Sequence, residues 1–399
     1  MNVAIVHDWL TGMRGGEKVL DVLCERYPHA ELFTLLHVRG SVSPAIERLP
    51  IHTSALQHLP GVRHYYRECL PLFPSLIEQF DLGRFDLVIS SSHCAAKAVI
   101  PRPGSVHLCY CHTPMRYAWD QFEAYFGAER VGAVASALLR PALASLARWD
   151  RDTSGRVHRY LTNSQHVAGR IRRYYNREAT VVYPPVDTDF FHPDSAHAAS
   201  TGSHARYALV VSALVPYKRI DLAIDACRRA GVALKIVGTG PERARLEQAA
   251  LAAGGTRGAV EFLGRLSDED VREAYQRASV VLMPGEEDFG IVPLEAQACG
   301  RPVVALGRGG ALETVVPGET GVLVDEPAAD AFAGAIAHVM QRHFDRTAIR
   351  RHAERFSRAR FGDQIEALVA ETMSARGDAS APAGERAPCG PSTREATRW

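Results

Sequence analysis

The sequence predicts an α/β protein built from two doubly wound domains. Short apolar runs alternate with helical stretches, and this alternation occurs in two separate parts of the chain. Runs such as Leu87 to Ile89 are apolar at successive positions, as strands covered on both faces of a parallel sheet require. A chain of 399 residues is also longer than one ordinary domain, so two domains are expected.

The first domain is predicted over residues 1–185. Its strand-like and helical segments follow one another in the rhythm of a parallel sheet with crossover helices. The predicted elements are strand Val3 to His7, helix Glu17 to Tyr27, strand Asp86 to Ser90, strand Val106 to His112, strand Tyr160 to Asn163 and helix Gln165 to Tyr175.

A connector is predicted over residues 186–205. The alternation stops at Tyr183-Pro184-Pro185, and the stretch from Pro193 through His204 is small, polar and poor in apolar residues. We therefore expect the hinge between the two domains in this part of the chain.

The second domain is predicted over residues 206–373, where the alternation starts again. The strands are Tyr207 to Ser212, Ala233 to Val237, Val260 to Leu263, Val280 to Met283 and Pro302 to Ala305, and the helices are Asp221 to Ala230, Glu242 to Ala252, Asp268 to Arg277 and Pro293 to Cys299. The remaining residues, 374–399, are rich in Ala, Gly, Pro, Ser and charge, and this composition predicts a disordered tail.

The composition of the chain limits the classes of partner that it is expected to bind and the compartment in which it is expected. The net charge is +1, which gives no overall basic field for nucleic acid. The apolar stretch Val131 to Leu139 is far shorter than the roughly 20 residues that span a bilayer. The start enters a strand without a signal-peptide pattern, and the cysteines are mostly scattered singly, which favours reduced thiols. We therefore expect a cytoplasmic protein that does not bind nucleic acid.

A loop and helix start in the second domain form the strongest candidate site. After the strand that ends at Met283, an acidic, glycine-containing loop leads into a helix with Pro293 in its first turn. Free amides at such a helix start bind anions such as a diphosphate, and a carboxylate in the helix accepts hydroxyl hydrogen bonds. The alternative is a solvated acidic loop whose helix glutamate only complements the dipole. The candidate residues are Glu287, Gly290, Ile291, Val292 and Glu295.

The spacing of Glu287 and Glu295, with Phe289-Gly290 between them, resembles the E-x7-E motif of retaining glycosyltransferase family 4. The resemblance covers residues 2 to about 370 and implies a GT-B fold, in which two Rossmann-like domains enclose a cleft for a nucleotide-sugar donor. It implies that Glu295 holds the nucleotide ribose and that Glu287 contacts the transferred sugar. The residues implied to bind the donor from this loop are Phe289, Gly290, Ile291, Val292 and Glu295.

The segment Ser212 to Asp221 is similar to the strand-to-helix phosphate segment of that family. The resemblance implies that Lys218 pairs with the donor diphosphate. Ala213 stands where the family carries an arginine, so half of a cationic clamp is missing, and Arg219 is an open candidate to compensate. The alternative is that Lys218 is a surface residue at a helix start.

Two segments of the first domain also resemble the family. Gly15 and Gly16 form a Gly-Gly loop of the kind that lies beneath the donor phosphates, although such a turn is also an ordinary strand-to-helix loop. His112 ends a strand, and the resemblance implies that it contacts the transferred sugar; the alternative is an uncharged, hydrogen-bonded loop histidine. The run from His112 to Asp120 looks most like the mannosyltransferases that build bacterial surface polysaccharides.

No metal and no cofactor are predicted, since the nucleotide-sugar is itself the substrate. Cys109 and Cys111 share one strand face and His112 lies on the other, so these three side chains cannot converge on zinc. The D-x-D spacings, Asp187 with Asp189 and Asp150 with Asp152, do not follow a buried strand. Phosphate neutralisation is therefore assigned to Lys218 and the helix start.

The stretch from Arg140 to Arg177 has nine arginines against two aspartates. A basic surface of this kind can hold anionic lipid headgroups or a lipid diphosphate acceptor, which would bring the protein to the inner face of the plasma membrane. A solvated charged face is the equal alternative.

The predicted function is transfer of a hexose, mannose from GDP-mannose, to a hydroxyl of a lipid-linked saccharide with retention of configuration. The residues implied to act in this reaction are His112, Lys218 and Glu287. Two alternatives stay open: a nucleotide-sugar epimerase of the same architecture and a non-catalytic sugar-nucleotide binder. The sequence carries no chemical code for the donor base or for the acceptor.

Overall fold

The computed structural model describes residues 1–120, 122–194, 207–252 and 259–380. Within these residues the chain forms two α/β domains, each with a parallel sheet at its centre. The first sheet consists of β1 (Val3–His7), β2 (Glu31–Thr34), β3 (Ile51–Thr53), β4 (Leu87–Ser92), β5 (Val106–Cys111), β6 (Arg159–Thr162) and β7 (Ala179–Val181). The second sheet consists of β8 (Tyr207–Val211), β9 (Ala233–Val237), β10 (Val260–Gly264), β11 (Val280–Met283), β12 (Val303–Leu306) and β13 (Gly321–Val324).

The helices of the described residues accompany these strands. The first part of the chain contains α1 (Gly15–Arg26), α2 (Pro44–Glu47), α3 (Phe73–Ile77), α4 (Arg116–Trp119), α5 (Phe122–Phe126), α6 (Ala128–Val131), α7 (Ala133–Asp152) and α8 (Gln165–Tyr175). The second part contains α9 (Ile220–Ala230), α10 (Arg243–Ala252), α11 (Asp268–Arg277), α12 (Ile291–Ala298), α13 (Ala311–Thr314), α14 (Ala329–Gln341), α15 (Arg346–Ala353) and α16 (Arg358–Ser380). In the part of the chain that the structure describes, no helix combines the length and apolar character that crossing a bilayer requires.

Both sheets are buried on two faces, which explains why their strands are apolar at successive positions. In β1, Val3 and Ile5 belong to the core on one side of the first sheet, while Ala4 and Val6 belong to the core on the other side. Strand β8 divides its residues between the two cores of the second sheet in the same way.

The strand orders create a switch point in each domain. The first sheet runs β3-β2-β1-β4-β5-β6-β7, and the second runs β10-β9-β8-β11-β12-β13. The strand order therefore reverses between β1 and β4 in the first sheet and between β8 and β11 in the second. On the two sides of this point, the connecting segments run toward opposite edges of the sheet. In doubly wound sheets, ligands bind in the crevice outside the carboxyl ends of the strands at this point. The loops that follow β8 and β11 carry Lys218 and Glu287.

The chain crosses between the domains twice, and the two crossings lie side by side. The amide of Val186 donates to the carbonyl oxygen of Phe356 at 2.8 Å, and Val186 forms a parallel bridge with Ser357. Most of the predicted connector, residues 195–205, lies outside the described residues. The second crossing was not foreseen from the sequence.

After the second crossing, helix α16 returns to the first domain. Phe361, Ile365 and Val369 are buried in the core formed by β1, β4 and α1. The helix continues to Ser380, so the expectation of a disordered tail from residue 374 is wrong for residues 374–380. Composition misled because residues 374–380 extend a helix whose earlier turns pack against the first domain, and Arg376 donates there to the carbonyl oxygen of Ser105. Residues 381–399 of the predicted tail lie outside the described residues.

Candidate functional site

Two loops at the switch point of the second sheet enclose a narrow cavity of about 40 Å³. One loop follows β8 and carries Lys218, and the other follows β11 and leads through Glu287 into α12. The cavity is lined by Val210, Val211, Ser212, Lys218, Ile220, Leu282, Met283, Pro284, Gly285, Glu287 and Val292.

Lys218 and Glu287 form an ion pair across this cavity. The loops can come this close because position 285 is glycine: a Cβ there would lie 2.4 Å from the carbonyl oxygen of Tyr217. Burial and the nearby Arg116 lower the pKa of Lys218 to about 7, and the negative charge of Asp288 opposes that shift. The fraction of Lys218 that is protonated near pH 7 therefore depends on the charged groups beside it.

The backbone of Glu287 is fixed by the loop that follows β12. Its carbonyl oxygen accepts a hydrogen bond of 2.9 Å from the amide of Gly310, and the residue forms a parallel bridge with Gly309. The carboxylate of Glu287 thus projects from a backbone that is anchored to the loop following β12.

Helix α12 begins at the end of the same loop with an uncapped N-terminus. Gly290 precedes it with a φ of 83°, a left-handed conformation that glycine adopts without strain, and no side chain caps the helix. The amides of Ile291 and Val292 lie in the first turn, where an α-helix provides no partner for its N–H groups. Val292 lines the cavity, so this helix start can bind the negative charge of a phosphate.

Glu295 is buried one turn further along α12, with 5% of its surface exposed. Its Oε1 lies 2.6 Å from Nζ of Lys18, which belongs to the first domain, and its Oε2 accepts a 3.0 Å hydrogen bond from the hydroxyl of Tyr275. The carboxylate expected to hold a ribose is therefore occupied by a lysine from the opposite domain.

His112 and Gly16 meet at the switch point of the first sheet. Nε2 of His112 shares a 2.9 Å hydrogen bond with the hydroxyl of Ser91, and a Cβ added to Gly16 would lie 3.6 Å from the same nitrogen. Burial, together with the rings of His93 and His7, holds the pKa of His112 well below its ordinary value. The imidazole is thus neutral, as the hydrogen-bonded alternative supposed, and it still lies beside the Gly-Gly loop. Gly15 opens α1 at the same place.

Asp288 joins the two domains directly beside Glu287. Its carboxylate pairs with Arg116, and its Oδ1 also accepts a 3.2 Å hydrogen bond from Arg170. The hydroxyl of Ser164, from the start of α8, donates to the carbonyl oxygen of Asp288 at 2.6 Å. Three residues of the first domain therefore contact the loop that follows β11 in the second domain.

Two side chains expected to bind the donor make contacts within the protein. The ring of Phe289 is 4% exposed and stacks 5.7 Å from that of Tyr183, so its side chain belongs to the packing next to the domain crossing. Arg219 adopts a φ of 51°, and its guanidinium pairs with Asp221 at 3.2 Å. Ala213 is exposed, and the predicted compensation by Arg219 finds no support in this contact.

The arginine-rich stretch does not form one continuous basic surface. Most of its arginines pair within the fold: Arg140, Arg151, Arg156, Arg159, Arg170 and Arg172 with carboxylates, and Arg177 with carbonyl oxygens. Asp150, one half of a D-x-D spacing, is fully buried and pairs with Lys97 at 2.9 Å. Over the described ranges, no three His, Cys, Asp or Glu side chains are placed to hold a metal ion.

Three residues reach the site from the other domain and were not predicted from the sequence. These are Lys18, Arg116 and Arg170. A signal for the first was present, because Lys18 lies in the first turn of α1, directly after Gly15 and Gly16. Arg116 lies within the run from His112 to Asp120 that resembles mannosyltransferases, but its residue type alone indicates no contact with the other domain.

Known structures share this two-domain fold. Anabaena HepE in complex with UDP matches 93% of this chain and 100% of that chain with a TM-score of 0.70 and 18% identity. The lipopolysaccharide outer core galactosyltransferase WaaB matches 93% of this chain and 99% of that chain with a TM-score of 0.64 and 16% identity. These structural similarities confirm the predicted GT-B fold. At this low sequence identity they support the fold alone.

The two domains and their cleft thus define the class of GT-B glycosyltransferases. Residues 13–190 match the model of Glycosyltransferase Family 4, and residues 197–356 match the model of Glycosyl transferases group 1. The chain belongs to glycosyltransferase family 4.

Curated relatives are similar over part of their length. A D-inositol 3-phosphate glycosyltransferase of Geodermatophilus obscurus is 35% identical over 251 residues, which is 56% of this chain and 55% of the relative. A GDP-mannose-dependent alpha-(1-6)-phosphatidylinositol monomannoside mannosyltransferase of Mycobacterium tuberculosis is 34% identical over 197 residues, which is 44% of this chain and 51% of the relative. The chain thus spans about half the length of the curated relatives it matches.

Proposed function

We propose that this protein transfers a hexose from a nucleoside-diphosphate sugar to an acceptor hydroxyl with retention of configuration. The observation that carries the proposal is the convergence of Lys218, the uncapped start of α12 and Glu295 at one edge of the second sheet. An ammonium and free amides suit a diphosphate, and a buried carboxylate one turn away suits a pair of ribose hydroxyls.

In this proposal, the charge that leaves with the nucleoside diphosphate is stabilised by Lys218 and by the amides of Ile291 and Val292. A phosphate oxygen of the leaving group takes the proton of the acceptor hydroxyl on the same face of the sugar. The neutral imidazole of His112 and the carboxylate of Glu287 orient the sugar by hydrogen bonds. No metal is required in this scheme.

Mannose from GDP-mannose is the donor we propose. The support comes from the Mycobacterium tuberculosis relative, which is named a GDP-mannose-dependent mannosyltransferase. A second support is the run from His112 to Asp120, which resembles mannosyltransferases of surface polysaccharides. Anabaena HepE binds UDP in a similar fold, so uridine donors belong in the same test.

The acceptor we propose is a hydroxyl of a lipid-linked saccharide in surface polysaccharide synthesis. The same relative is named for a phosphatidylinositol-linked acceptor. Helix α7 exposes 76% of Val134 and 71% of Leu138, just before Arg140, and we propose this face as a peripheral contact with the membrane. Sedimentation with anionic and neutral vesicles tests the contact, and Leu138→Glu should abolish it.

Differential scanning calorimetry of the protein with GDP-mannose, UDP-glucose and ADP-glucose tests the donor, because a ligand that binds the native state raises the melting temperature of the protein. We expect the largest shift with GDP-mannose. Stabilisation by another donor alone would overturn the sugar assignment, and no shift with any donor would overturn the function.

Incubation with the donor and no acceptor separates transfer from epimerisation. We expect slow release of free sugar at most, whereas a new epimer of the donor would identify an epimerase. If donor binds but neither the wild type nor Ala213→Arg transfers sugar to any lipid-linked acceptor, the protein is a non-catalytic binder.

A further inference from the structure

The phosphate side of the cleft carries less positive charge than a leaving diphosphate requires. Among the described residues that line the cavity between the loops, Lys218 is the one cation, and it is already paired with Glu287. Ala213 brings no charge, and the guanidinium of Arg219 is engaged with Asp221. A second cation must come from elsewhere if the diphosphate is to be neutralised.

The first domain brings an arginine to this place. Arg116 opens helix α4, directly after the loop that begins at His112, and its guanidinium pairs with the carboxylate of Asp288. Because Asp288 directly follows Glu287, Arg116 and Lys218 contact adjacent carboxylates from opposite sides of the cleft. The contact with Asp288 places Arg116 at the boundary of the two domains, and its side chain is 22% exposed, so it is not sealed in the core.

Arg116 can leave Asp288 without stranding a buried charge. Arg170 holds the other oxygen of Asp288 at 3.2 Å and pairs with Asp120 as well. The hydroxyl of Ser164 anchors the backbone of Asp288 at 2.6 Å. The carboxylate therefore keeps a partner, and the loop keeps its position, if the guanidinium of Arg116 turns toward a ligand.

We propose that Arg116 binds the diphosphate of the donor from the first domain, and that it supplies the positive charge absent at Ala213. A guanidinium pairs with phosphate oxygens in a bidentate way and stays charged at all relevant pH values. The nearby Arg116 also contributes to the lowered pKa of Lys218, as expected of two cations that face one anion site. The inference rests on the proposed function, since it needs a nucleoside diphosphate in the cleft.

The test measures the affinity of Arg116→Gln for GDP, GMP and guanosine by titration calorimetry, with Arg170→Gln as the matched control on the same carboxylate. The wild type is first titrated with GDP, UDP and ADP, and the base that binds is used throughout. If no nucleoside diphosphate binds the wild type, the proposed function fails and the role of Arg116 falls with it; if one binds, the variants test Arg116 alone.

We expect Arg116→Gln to weaken diphosphate binding about tenfold to a hundredfold, and to leave nucleoside binding within about twofold. Arg170→Gln should change both by similar small factors. Adding Ala213→Arg to Arg116→Gln should restore diphosphate binding, because it returns one cation to the same anion. Each variant is checked for an intact fold by circular dichroism and melting temperature.

Two outcomes would overturn the inference. In one, Arg116→Gln binds the diphosphate as tightly as the wild type while Lys218→Gln does not. In the other, diphosphate and nucleoside are weakened equally, which would make Arg116 a contact between the domains and not a ligand of the phosphates.

Discussion

Nζ of Lys18 in the first domain lies 2.6 Å from Oε1 of Glu295 in the second, and this contact closes the cleft over the proposed ribose site. The hydroxyl of Tyr275 occupies the other oxygen of Glu295. A ribose that donates two hydroxyl hydrogen bonds to Glu295 must therefore share or displace the lysine.

The first prediction concerns Lys18→Met. Without its lysine, the buried carboxylate of Glu295 keeps Tyr275 alone, and the free energy of unfolding of the ligand-free protein should fall by about 1–3 kcal/mol. A bound nucleotide replaces the lost partner, so the rise in melting temperature with saturating nucleotide should be larger than in the wild type. Scanning calorimetry with and without nucleotide measures both. Lys235→Met, which breaks an exposed pair with Glu261, is the control. A smaller rise than in the wild type would mean that Lys18 itself binds the nucleotide.

Glu295→Gln is predicted to impair donor binding more than turnover. The amide keeps the size of the side chain and loses the charge that accepts the ribose hydroxyls, a change worth about 1.5–3 kcal/mol. The affinity for the donor should fall roughly tenfold to a hundredfold, with kcat changed less. Steady-state kinetics over a donor series measures the split, and Glu273→Gln on the exposed face of α11 is the control. An unchanged KM would remove Glu295 from the donor site.

Donor binding should weaken as the pH rises through the pKa of Lys218, which burial lowers to about 7. Above that value the free protein loses the ammonium, so the affinity for GDP-mannose should fall by up to about tenfold per pH unit. His112 is neutral throughout this range, and Glu287, Asp288 and Arg116 are the charged groups that face the lysine or its partner. Calorimetric titrations between about pH 6 and 9 measure the profile. Lys218→Arg should flatten it, and the same slope in that variant would assign the titration to another group.

The stability of the folded chain should follow the opposite course in that range. An unfolded lysine holds its proton to about pH 10.4, so between pH 7 and that value the unfolded state binds more protons than the folded one. The contribution of Lys218 to the free energy of unfolding therefore rises with pH. If donor affinity falls with rising pH while this contribution to stability increases, the weaker binding is not caused by unfolding.

Phe361→Ala is predicted to destabilise the first domain although residue 361 follows the second domain in the chain. The ring is 2% exposed in the core of the first sheet and lies 5.6 Å from that of Tyr110. Its loss should lower the free energy of unfolding by about 3–5 kcal/mol. Denaturant unfolding measures the change, and the exposed Arg360→Ala is the control. An effect confined to the second domain would contradict the docking of α16.

Much of the fold could be predicted from the sequence because the central strands are buried on both faces. The observed bounds of Val3–His7 and Val280–Met283 agree with the prediction, since nearly continuous apolar runs leave little freedom. Those of Ala233–Val237 also agree, although Lys235 interrupts that run. Short strands such as Glu31–Thr34 and Ile51–Thr53 were missed, because they mix polar residues and carry too few positions to show a pattern.

The candidate site could be predicted only where its residues are neighbours in sequence. Glu287, Gly290 and Glu295 occupy one loop and one helix, so their spacing carries the information. Lys18 and Arg116 reach the same place through the arrangement of two domains, and local spacing does not encode that arrangement. The spacing also suggested a donor contact for Phe289, whose ring instead packs against Tyr183.

The return of α16 to the first domain sets an order for folding during synthesis. Domains usually fold as they emerge from the ribosome, with the N-terminal one first. Here the core of the N-terminal domain lacks Phe361, Ile365 and Val369 until the whole second domain has been translated. The first domain is therefore the last to be completed, and a chain that ends within the second domain leaves exposed the apolar surface against which α16 packs.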